Sequence, residues 1–222
     1  MNYTFDFGPV LAAWPTLAAG AGQTLKLSAI AMILGMALGI VFMLMRLSRS
    51  RALSAVALGY IELIRNTPFL VQIFFIYFGL PAIGLRIGPE SAAIVAMTLN
   101  CAAYAAEIIR GGVQSIRPGQ IEAGKALGLS PLSIYRFVVF RPAIRAVYPA
   151  LCSQFILLTL NSSLVASISA MDLTYAGQMI DNQTFRSFEV YCVLGALYLA
   201  ISQIFSLALQ GVGKLYFSYP VK

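Results

Sequence analysis

Two sets of polar side chains interrupt otherwise apolar stretches of this sequence, and they are its first candidates for chemistry. The first set recurs at the spacing i, i+4, i+7, i+11, which places it on one helical face: Asn100, Tyr104, Glu107 and Gly111. The second set comes later: Gln154, Asn161, Ser162 and Ser163. Such groups among apolar residues either line a path for a polar solute or hydrogen-bond one helix to another. The sequence leaves both interpretations open, although Glu107 and Arg110 have the spacing of an ion pair.

Catalytic groups of the common kinds are missing. The chain has no histidine, which excludes Ser-His-Asp and Cys-His systems and every His-containing metal site. Cys101, Cys152 and Cys192 stand singly in apolar stretches and are interpreted as small buried hydrophobic residues. None of the lysines lies in the G-x-x-x-x-G-K-[ST] pattern of a phosphate-binding loop. We therefore expect no enzyme activity, catalytic residue, metal or cofactor in this chain.

The elements that position the polar residues are predicted to be membrane helices. Of the 222 residues, 59% are hydrophobic and 10% are charged, whereas a soluble domain is roughly 45–50% apolar and about 25% charged. This composition predicts an all-α membrane protein and excludes a disordered chain. A spanning helix needs about 20 mostly apolar residues. Reading between charges gives five candidates: Leu27–Met45, Asn66–Leu85, Ser91–Ala106 (continuing to about Gly112), Ala146–Met171 and Val190–Gly213.

The segments beside these spans carry further signals. Residues 1–22, which contain Pro9, Pro15 and several glycines, are predicted to form a loose lead-in or a short interfacial helix outside the membrane. At the second span, Asn66 is a candidate N-cap, and Pro68 is expected at the first helical position. Before that span, a stripe with helical spacing predicts an interfacial or packing helix: Leu53, Val56, Ala57, Tyr60, Ile61 and Ile64.

The formal net charge of +7 is explained by where the cations lie. With five spans and the N-terminus outside, 12 of the 15 Lys and Arg residues lie inside, and only Lys26, Arg86 and Arg186 lie outside. Because cytoplasmic loops are enriched in Lys and Arg, we expect an outside N-terminus and a cytoplasmic C-terminus with residues 216–222 as a tail. The positive charge therefore indicates orientation, and no nucleic-acid partner is expected.

The loop between the third and fourth spans, residues 110–145, is too regular in pattern for a linker. Gln120–Leu127 is predicted to form a short helix that ends at Gly128, a natural C-cap position. A second helical run begins at Ser130-Pro131, with Ile134, Phe137 and Val138 on one face. The short helix is expected to expose small residues, Ala123, Gly124 and Ala126 among them. It therefore either fits the groove of another protein or packs on its own helical bundle.

Several motifs in the chain resemble one known family. The run Glu122-Ala123-Gly124, three residues, Gly128, nine residues, Val138 resembles the EAA signature of permease subunits of ABC importers. Three further runs resemble the branch that transports polar amino acids. They are Tyr60 to Pro68 with Val71 to Pro81 (YIELIRNTP and VQIFFIYFGLP), Ala103 to Gly112 (AYAAEIIRGG), and Thr184-Phe185-Arg186. The resemblance extends from about Gln23 to Leu215.

The resemblance implies a type I ABC importer permease fold over residues 23–215, with a cytoplasmic coupling loop at about residues 113–142. It implies a multi-pass subunit of the bacterial inner membrane that translocates polar amino acids or opine-like derivatives. The partners implied are two ATPase subunits that bind the ATP and Mg, a second identical or paralogous permease chain, and an extracytoplasmic solute-binding protein, in a setting of membrane lipid. Glu122, Ala123, Gly124 and Gly128 would form the helix that docks on the ATPase.

The chain departs from the family pattern at three positions. Gly124 replaces the alanine that ends the EAA triplet, Arg141 stands where the family has a proline, and Leu160 stands where a lysine is frequent. The third departure bears on how a substrate carboxylate is held. The alternative function is an ion-coupled secondary transporter or another membrane conduit not driven by ATP. Against ion coupling, no predicted span has a carboxylate in its core, and no internal repeat is visible.

Overall fold

The computed structural model describes residues 4–217, and within that range every regular element is a helix. The α-helices are α1 (Gly8–Ala12), α2 (Trp14–Arg46), α3 (Arg51–Arg65), α4 (Phe69–Phe74), α5 (Pro89–Gln114), α6 (Pro118–Ala126), α7 (Pro131–Ser133), α8 (Arg141–Asn161), α9 (Leu173–Thr184) and α10 (Ser187–Phe217). Helix α4 continues through a π-helical turn, Phe75–Gly79, and a 3₁₀ turn, Leu80–Ile83. The all-α prediction is confirmed for the described residues, while residues 218–222 of the predicted tail lie outside them.

Helices α2 and α5 form the centre of the molecule. Two glycines one turn apart, Gly35 and Gly39, let the backbones approach closely, as small residues do in membrane helix pairs. A Cβ on Gly35 would lie 2.6 Å from Cys101 Cβ, and one on Gly39 would lie 2.9 Å from Ala105 Cβ. The core around this pair is dominated by buried alanines of α5. Four helices or continuous helical runs are each long and apolar enough to cross a membrane once. The bent pair, made of α3 and the extended α4, gives a fifth if its two limbs form one span.

The first span is longer than the sequence predicted. Helix α2 contains Leu27–Met45 but begins at Trp14, so residues 14–22 of the predicted lead-in belong to it. Pro15 lies in its first helical turn, where a missing N–H costs nothing. Gly20 is a packing position, since a Cβ there would lie 2.9 Å from the carbonyl oxygen of Asp172. The proline and glycine that suggested a loose segment therefore start the helix and fit it against α9.

The second predicted span has the largest correction. Helices α3 and α4 are bent by 110° at residues 66–68. Asn66 is the C-cap of α3, not the N-cap of α4, and Pro68 is the N-cap residue instead of the first helical residue. Thr67 Oγ1 donates to the carbonyl of Leu63, which ends α3 by supplying a donor to one of its last carbonyls. The predicted span Asn66–Leu85 is therefore only the second limb of a bent pair.

The remaining elements differ mainly in their bounds. Helix α5 covers the third predicted span, and α10 covers the fifth. The run that begins at Pro131 does not stop before the fourth span. It continues through a π-helical stretch, Ile134–Phe140, then α8 and a 3₁₀ stretch, Ser162–Ile168. The predicted fourth span, Ala146–Met171, is thus the later part of one helical run of 38 residues.

Candidate functional site

Polar side chains gather at the break between α3 and α4. Glu62, Arg65 and Asn66 are all exposed in the single chain. Asn66 Nδ2 donates to Glu62 Oε2 over 2.7 Å, which fixes the carboxylate beside the break. Arg65 lies over the ring of Tyr104, with 5.4 Å from Cζ to the ring centroid. The break therefore presents a carboxylate, an amide and a guanidinium at the surface of the chain.

A buried amide network braces this break against α5. Asn100 Nδ2 donates to Gln72 Oε1 over 3.1 Å, and both side chains are buried. Gln72 Nε2 donates to the carbonyl oxygens of Ile64 at 2.7 Å and Thr67 at 3.0 Å. These carbonyls belong to the end of α3, where no intrahelical donor is available. The network thus satisfies the interrupted backbone and ties both limbs of the bent pair to α5.

The position of Asn100 gives the depth of the break. Asn100 lies near the middle of the 26-residue α5. Since its partner Gln72 contacts Ile64 and Thr67, residues 64–67 lie at the same height. Irregular backbone and charged groups at mid-depth are tolerated only where they face protein or a water-filled cavity. At this height, the charged groups on the exposed side of the break therefore favour a protein or aqueous surrounding over lipid.

The predicted face of α5 has three different roles in the structure. Asn100 is a buried brace, Tyr104 is half-buried beside Arg65, and Glu107 takes part in ion pairs. Glu107 contacts Arg110 at 2.6 Å and Arg46 of α2 at 3.9 Å. The predicted pairing of Glu107 with Arg110 is confirmed. Gly111, the last member of the face, is exposed.

The second polar set lies at the end of α8. Gln154 and Ser162 are buried, whereas Asn161 and Ser163 are half-buried. Ser162 Oγ donates to the carbonyl of Thr159 over 2.8 Å, within its own helical run. The 3₁₀ stretch begins at Ser162, so this set marks a change of helix type instead of a continuous face. Asn161 and Ser163 are the members that stay partly accessible.

Sequence reasoning missed part of this site. It quoted Glu62, Arg65 and Gln72 within a family motif but assigned none of them a role. The signal was present, because a charged pair beside Asn-Thr-Pro inside a helical pattern indicates an interrupted helix. Because each span was taken as the stretch between two charged residues, Arg65 was placed at a membrane surface, and the break between α3 and α4 was not predicted. Glu62 lies near the middle of the bent pair α3–α4, so the expected absence of a carboxylate from the span cores stays a prediction that depends on whether the pair is one span.

The short helix of the long loop is α6, as the spacing predicted, with Pro118 and Ala126 as its bounds. Gly128 has φ +71°, the left-handed conformation that glycine adopts without strain. The N–H of Leu129 donates to the carbonyl of Gly124, and that of Gly128 donates to Lys125. These two bonds form a Schellman motif, which ends the helix.

The structure corrects the expected exposure of Gly124 on α6. Glu122, Ala123, Lys125 and Ala126 are exposed, but Gly124 is buried. A Cβ on Gly124 would lie 3.2 Å from Cγ1 of Ile134, so the glycine lets α6 pack closely on its own following run. The packing interpretation of the helix therefore holds for its Gly124 face, and docking on a partner stays a prediction for the exposed face. Its exposed face is open to a partner, and its Gly124 face packs on the bundle.

Large apolar side chains are exposed directly after α6 and in the run that follows it. Leu127 is 79% exposed, Leu132 78% and Tyr135 70%. They lie in or directly after the charged loop, at the end of the bundle that carries most of the cations. A clustered apolar surface of this kind indicates a protein interface. We name this surface, made by Glu122, Ala123, Leu127, Leu132 and Tyr135, the docking face.

A buried carboxylate lies at the opposite end of the bundle, between the long helical runs. Asp172 is the N-cap of α9, where its Oδ1 accepts from the N–H of Tyr175 over 2.7 Å. Its Oδ2 accepts from the hydroxyl of Tyr198 over 2.9 Å. Burial raises the pKa of Asp172 to about 6, although hydrogen bonds from Tyr175 and Tyr198 oppose the shift. The N–H of Leu173 donates to Thr24 Oγ1, so α9 is fastened to α2 and α10 here.

Comparison with known proteins gives a consistent result. Residues 31–213 match the model of a family described as the binding-protein-dependent transport system inner membrane component. The nopaline transport system permease protein NocM of Agrobacterium fabrum is 39% identical, over 90% of this chain and 88% of its own. The glutamine transport system permease protein GlnP of Escherichia coli is also 39% identical, over 93% and 95% of the two chains.

Solved structures show the same architecture. A chain of an amino acid ABC transporter crystallised with histidines superposes with a TM-score of 0.89 at 37% identity, covering 96% of this chain and 99% of that one. A chain of the inward-facing MetNI methionine ABC transporter gives 0.74 at 22% identity, covering 90% and 96%. The second likeness concerns the fold alone.

Proposed function

Because the chain belongs to the family of inner membrane components of binding-protein-dependent transport systems, we propose that it is the permease subunit of an ATP-driven importer of polar amino acids or opine-like derivatives. It would act with a second permease chain, two ATPase subunits and an extracytoplasmic binding protein in a bacterial inner membrane. The N-terminus would lie outside and the C-terminus inside, in keeping with the distribution of Lys and Arg.

The polar break at mid-depth is the observation that carries the proposal. A free amino acid carries a carboxylate and an ammonium group, and Arg65 and Glu62 offer complementary charges beside the interrupted helix. Asn66 holds Glu62 in place, and the Asn100–Gln72 bond braces the backbone behind it. Asn161 and Ser163 supply further polar groups for the path. The chain's own contribution is thus to replace the solute's hydration shell during passage.

The docking face is the proposed contact with the subunit that supplies the energy. The chain has no phosphate-binding loop, so ATP hydrolysis would belong to a partner seated on Glu122, Ala123 and the apolar residues around them. Because Gly124 fits α6 against Ile134, movement of α6 would be passed to the helical run that begins at Pro131. The helix ends sharply at Gly128, which keeps it short enough to lie in a groove.

Uptake by the reconstituted complex tests the proposal. Proteoliposomes that contain the complex, its binding protein and internal ATP would be given labelled glutamine, arginine or nopaline in competition. We expect Arg65→Gln to lower the initial uptake rate at least ten-fold while the ATPase still co-purifies, because the guanidinium can no longer pair with the solute carboxylate. The matched control is Arg49→Gln, which changes an arginine in the turn after α2, away from the break.

Two outcomes would contradict the proposal. Uptake by Arg65→Gln equal to that of the control variant would remove the break from the solute path. Uptake that persists without ATP and collapses with a protonophore would instead establish the ion-coupled alternative. Co-purification of an ATPase from detergent is an independent readout of the class.

A further inference from the structure

Two adjoining cavities lie between α8 and α10, away from the break. Their volumes are about 580 and 790 Å³, and both are lined by Arg145 and Tyr148. Their linings include none of the polar residues assigned above to the solute path. The pair therefore forms a separate groove, here named the α8–α10 groove.

The lining of the α8–α10 groove is cationic at one end. At the other end it is uncharged, with Ser153, Ser206 and Gln210 beside apolar residues. Four cations line it: Arg136, Arg141, Arg145 and Lys214. No acidic side chain belongs to the lining of either cavity among the described residues. Further along α8 the walls are Pro149, Cys152 and Ile156. Arg145 and Ile156 are eleven residues apart on α8, which corresponds to roughly 16 Å of helix.

The aromatic side chain of Tyr148 packs between the two helices. Tyr148 Oη donates to the carbonyl of Leu209 over 2.7 Å. Its ring fits against Gly213, where a Cβ would lie 2.8 Å from Tyr148 Cε1. Outside the lining, α10 carries large exposed apolar side chains, Ile204 (68% exposed) and Leu207 (66%), the second next to the lining residue Ser206. The groove thus borders a surface suited to hydrocarbon.

We propose that the α8–α10 groove binds one anionic phospholipid such as phosphatidylglycerol. The phosphate would be held by the cations at the Arg141 and Lys214 end, and an acyl chain would lie along Pro149, Cys152 and Ile156. Basic pockets between membrane helices recognise anionic headgroups in this way. The order of cationic and apolar walls matches the order of the groups in a phospholipid, whereas a free anion would use only the first part. The inference does not depend on which solute is transported.

Cys152 provides a reporter inside the groove. It is half-buried in the lining, Cys101 is buried, and the exposed Cys192 can be replaced by alanine. The delipidated complex in detergent would be treated with N-ethylmaleimide, and alkylation of Cys152 would be followed by intact mass. Phosphatidylglycerol, phosphatidylcholine with matched acyl chains, and inorganic phosphate would be added in parallel. We expect at least ten-fold slower alkylation with phosphatidylglycerol and little change with the other two.

A charge variant and a matched control locate the headgroup. Each cation near an anionic lipid contributes roughly five-fold to binding, so Arg141→Gln with Lys214→Gln should raise the phosphatidylglycerol concentration for half-protection by roughly 25-fold. Arg49→Gln with Arg51→Gln removes two arginines at the turn before α3, outside the groove, and should leave protection unchanged.

Three results would overturn the proposal. Equal protection by phosphatidylcholine would mean that the groove has no preference for anionic headgroups. Protection by inorganic phosphate alone would identify a free-anion site. Protection of Cys152 without added lipid would mean that another chain covers the groove. Uptake and ATPase co-purification are measured separately, so none of these results is confused with failure of the proposed transport function.

Discussion

Gly39 is expected to control the stability of the central helix pair. A Cβ at this position would lie 2.9 Å from Ala105 Cβ and 3.0 Å from the carbonyl oxygen of Ala102. Carbon atoms in contact prefer about 3.5–4.0 Å, so the helices must separate by several tenths of an ångström. One of the obstacles is backbone, which cannot rotate away. Overpacking of this kind costs roughly 1–3 kcal/mol.

Replacing glycine by alanine also stabilises the helix itself, and the experiment must separate this gain from the packing cost. Alanine in a helix interior is favoured over glycine by about 1 kcal/mol. Gly22 lies in the same helix and is exposed, and a Cβ added there would meet no heavy atom within 4 Å beyond its own stretch of helix. Gly22→Ala therefore gains the helix preference without the collision. The difference between Gly39→Ala and Gly22→Ala isolates the packing cost.

Thermal unfolding of the purified protein in detergent measures this difference. For a chain of this length 1 kcal/mol shifts the Tm by roughly 2–4 °C, so Gly39→Ala should unfold about 2–12 °C below Gly22→Ala. Labelling of Cys101, which lies in the same interface and is buried, gives a second readout of helix separation. Equal Tm values for the two variants would refute the close approach of α2 and α5 at Gly39.

Two further predictions concern opposite ends of the bundle. Because the pKa of Asp172 is raised from 3.8 to about 6, the folded chain holds this proton more tightly than the unfolded chain. The resulting contribution to stability is complete below about pH 4 and is lost as the pH rises through about 6, a fall of up to about 3 kcal/mol; Asp172→Asn should abolish this dependence in unfolding measured across that range. On α6, Ala123→Trp should uncouple ATP hydrolysis from uptake without changing the Tm, whereas Gly124→Val should lower the Tm through its contact with Ile134. Equal effects of the two α6 variants on Tm and coupling would contradict the assignment of their faces.

Much of the local structure follows from the sequence because its causes are local. The apolar runs predict the long helices, and Gly128 predicts the end of α6, since its left-handed φ depends on its own missing Cβ. The pairing of Glu107 with Arg110 is equally local, since the two residues lie one helical turn apart. These features need no knowledge of the rest of the chain.

The features that the sequence did not predict depend on distant partners. The bond between Asn100 and Gln72 joins residues 28 positions apart, and nothing near either residue specifies the other. Gly20 suggested a loose segment in the sequence. In the structure, α9 packs so closely against it that only glycine fits. Gly124 was expected on an exposed face. A residue of this size fits a partner protein and its own bundle equally well, so the sequence alone does not distinguish the two. In each case the partner lies far away in the sequence or in another element, and only tertiary packing identifies it.

The charged residues at the break explain the most consequential error. A rule that divides spans at charges assumes that every charge lies at a membrane surface, which holds when the alternative is lipid. The assumption fails where a helix is interrupted at mid-depth, because the freed backbone groups need polar partners and the open side needs water or solute. Here Gln72 supplies the backbone partners, while Glu62 and Arg65 lie on the open side. The same charges that placed the start of the second span at Asn66 are thus the charges on which the proposed path for a charged solute rests.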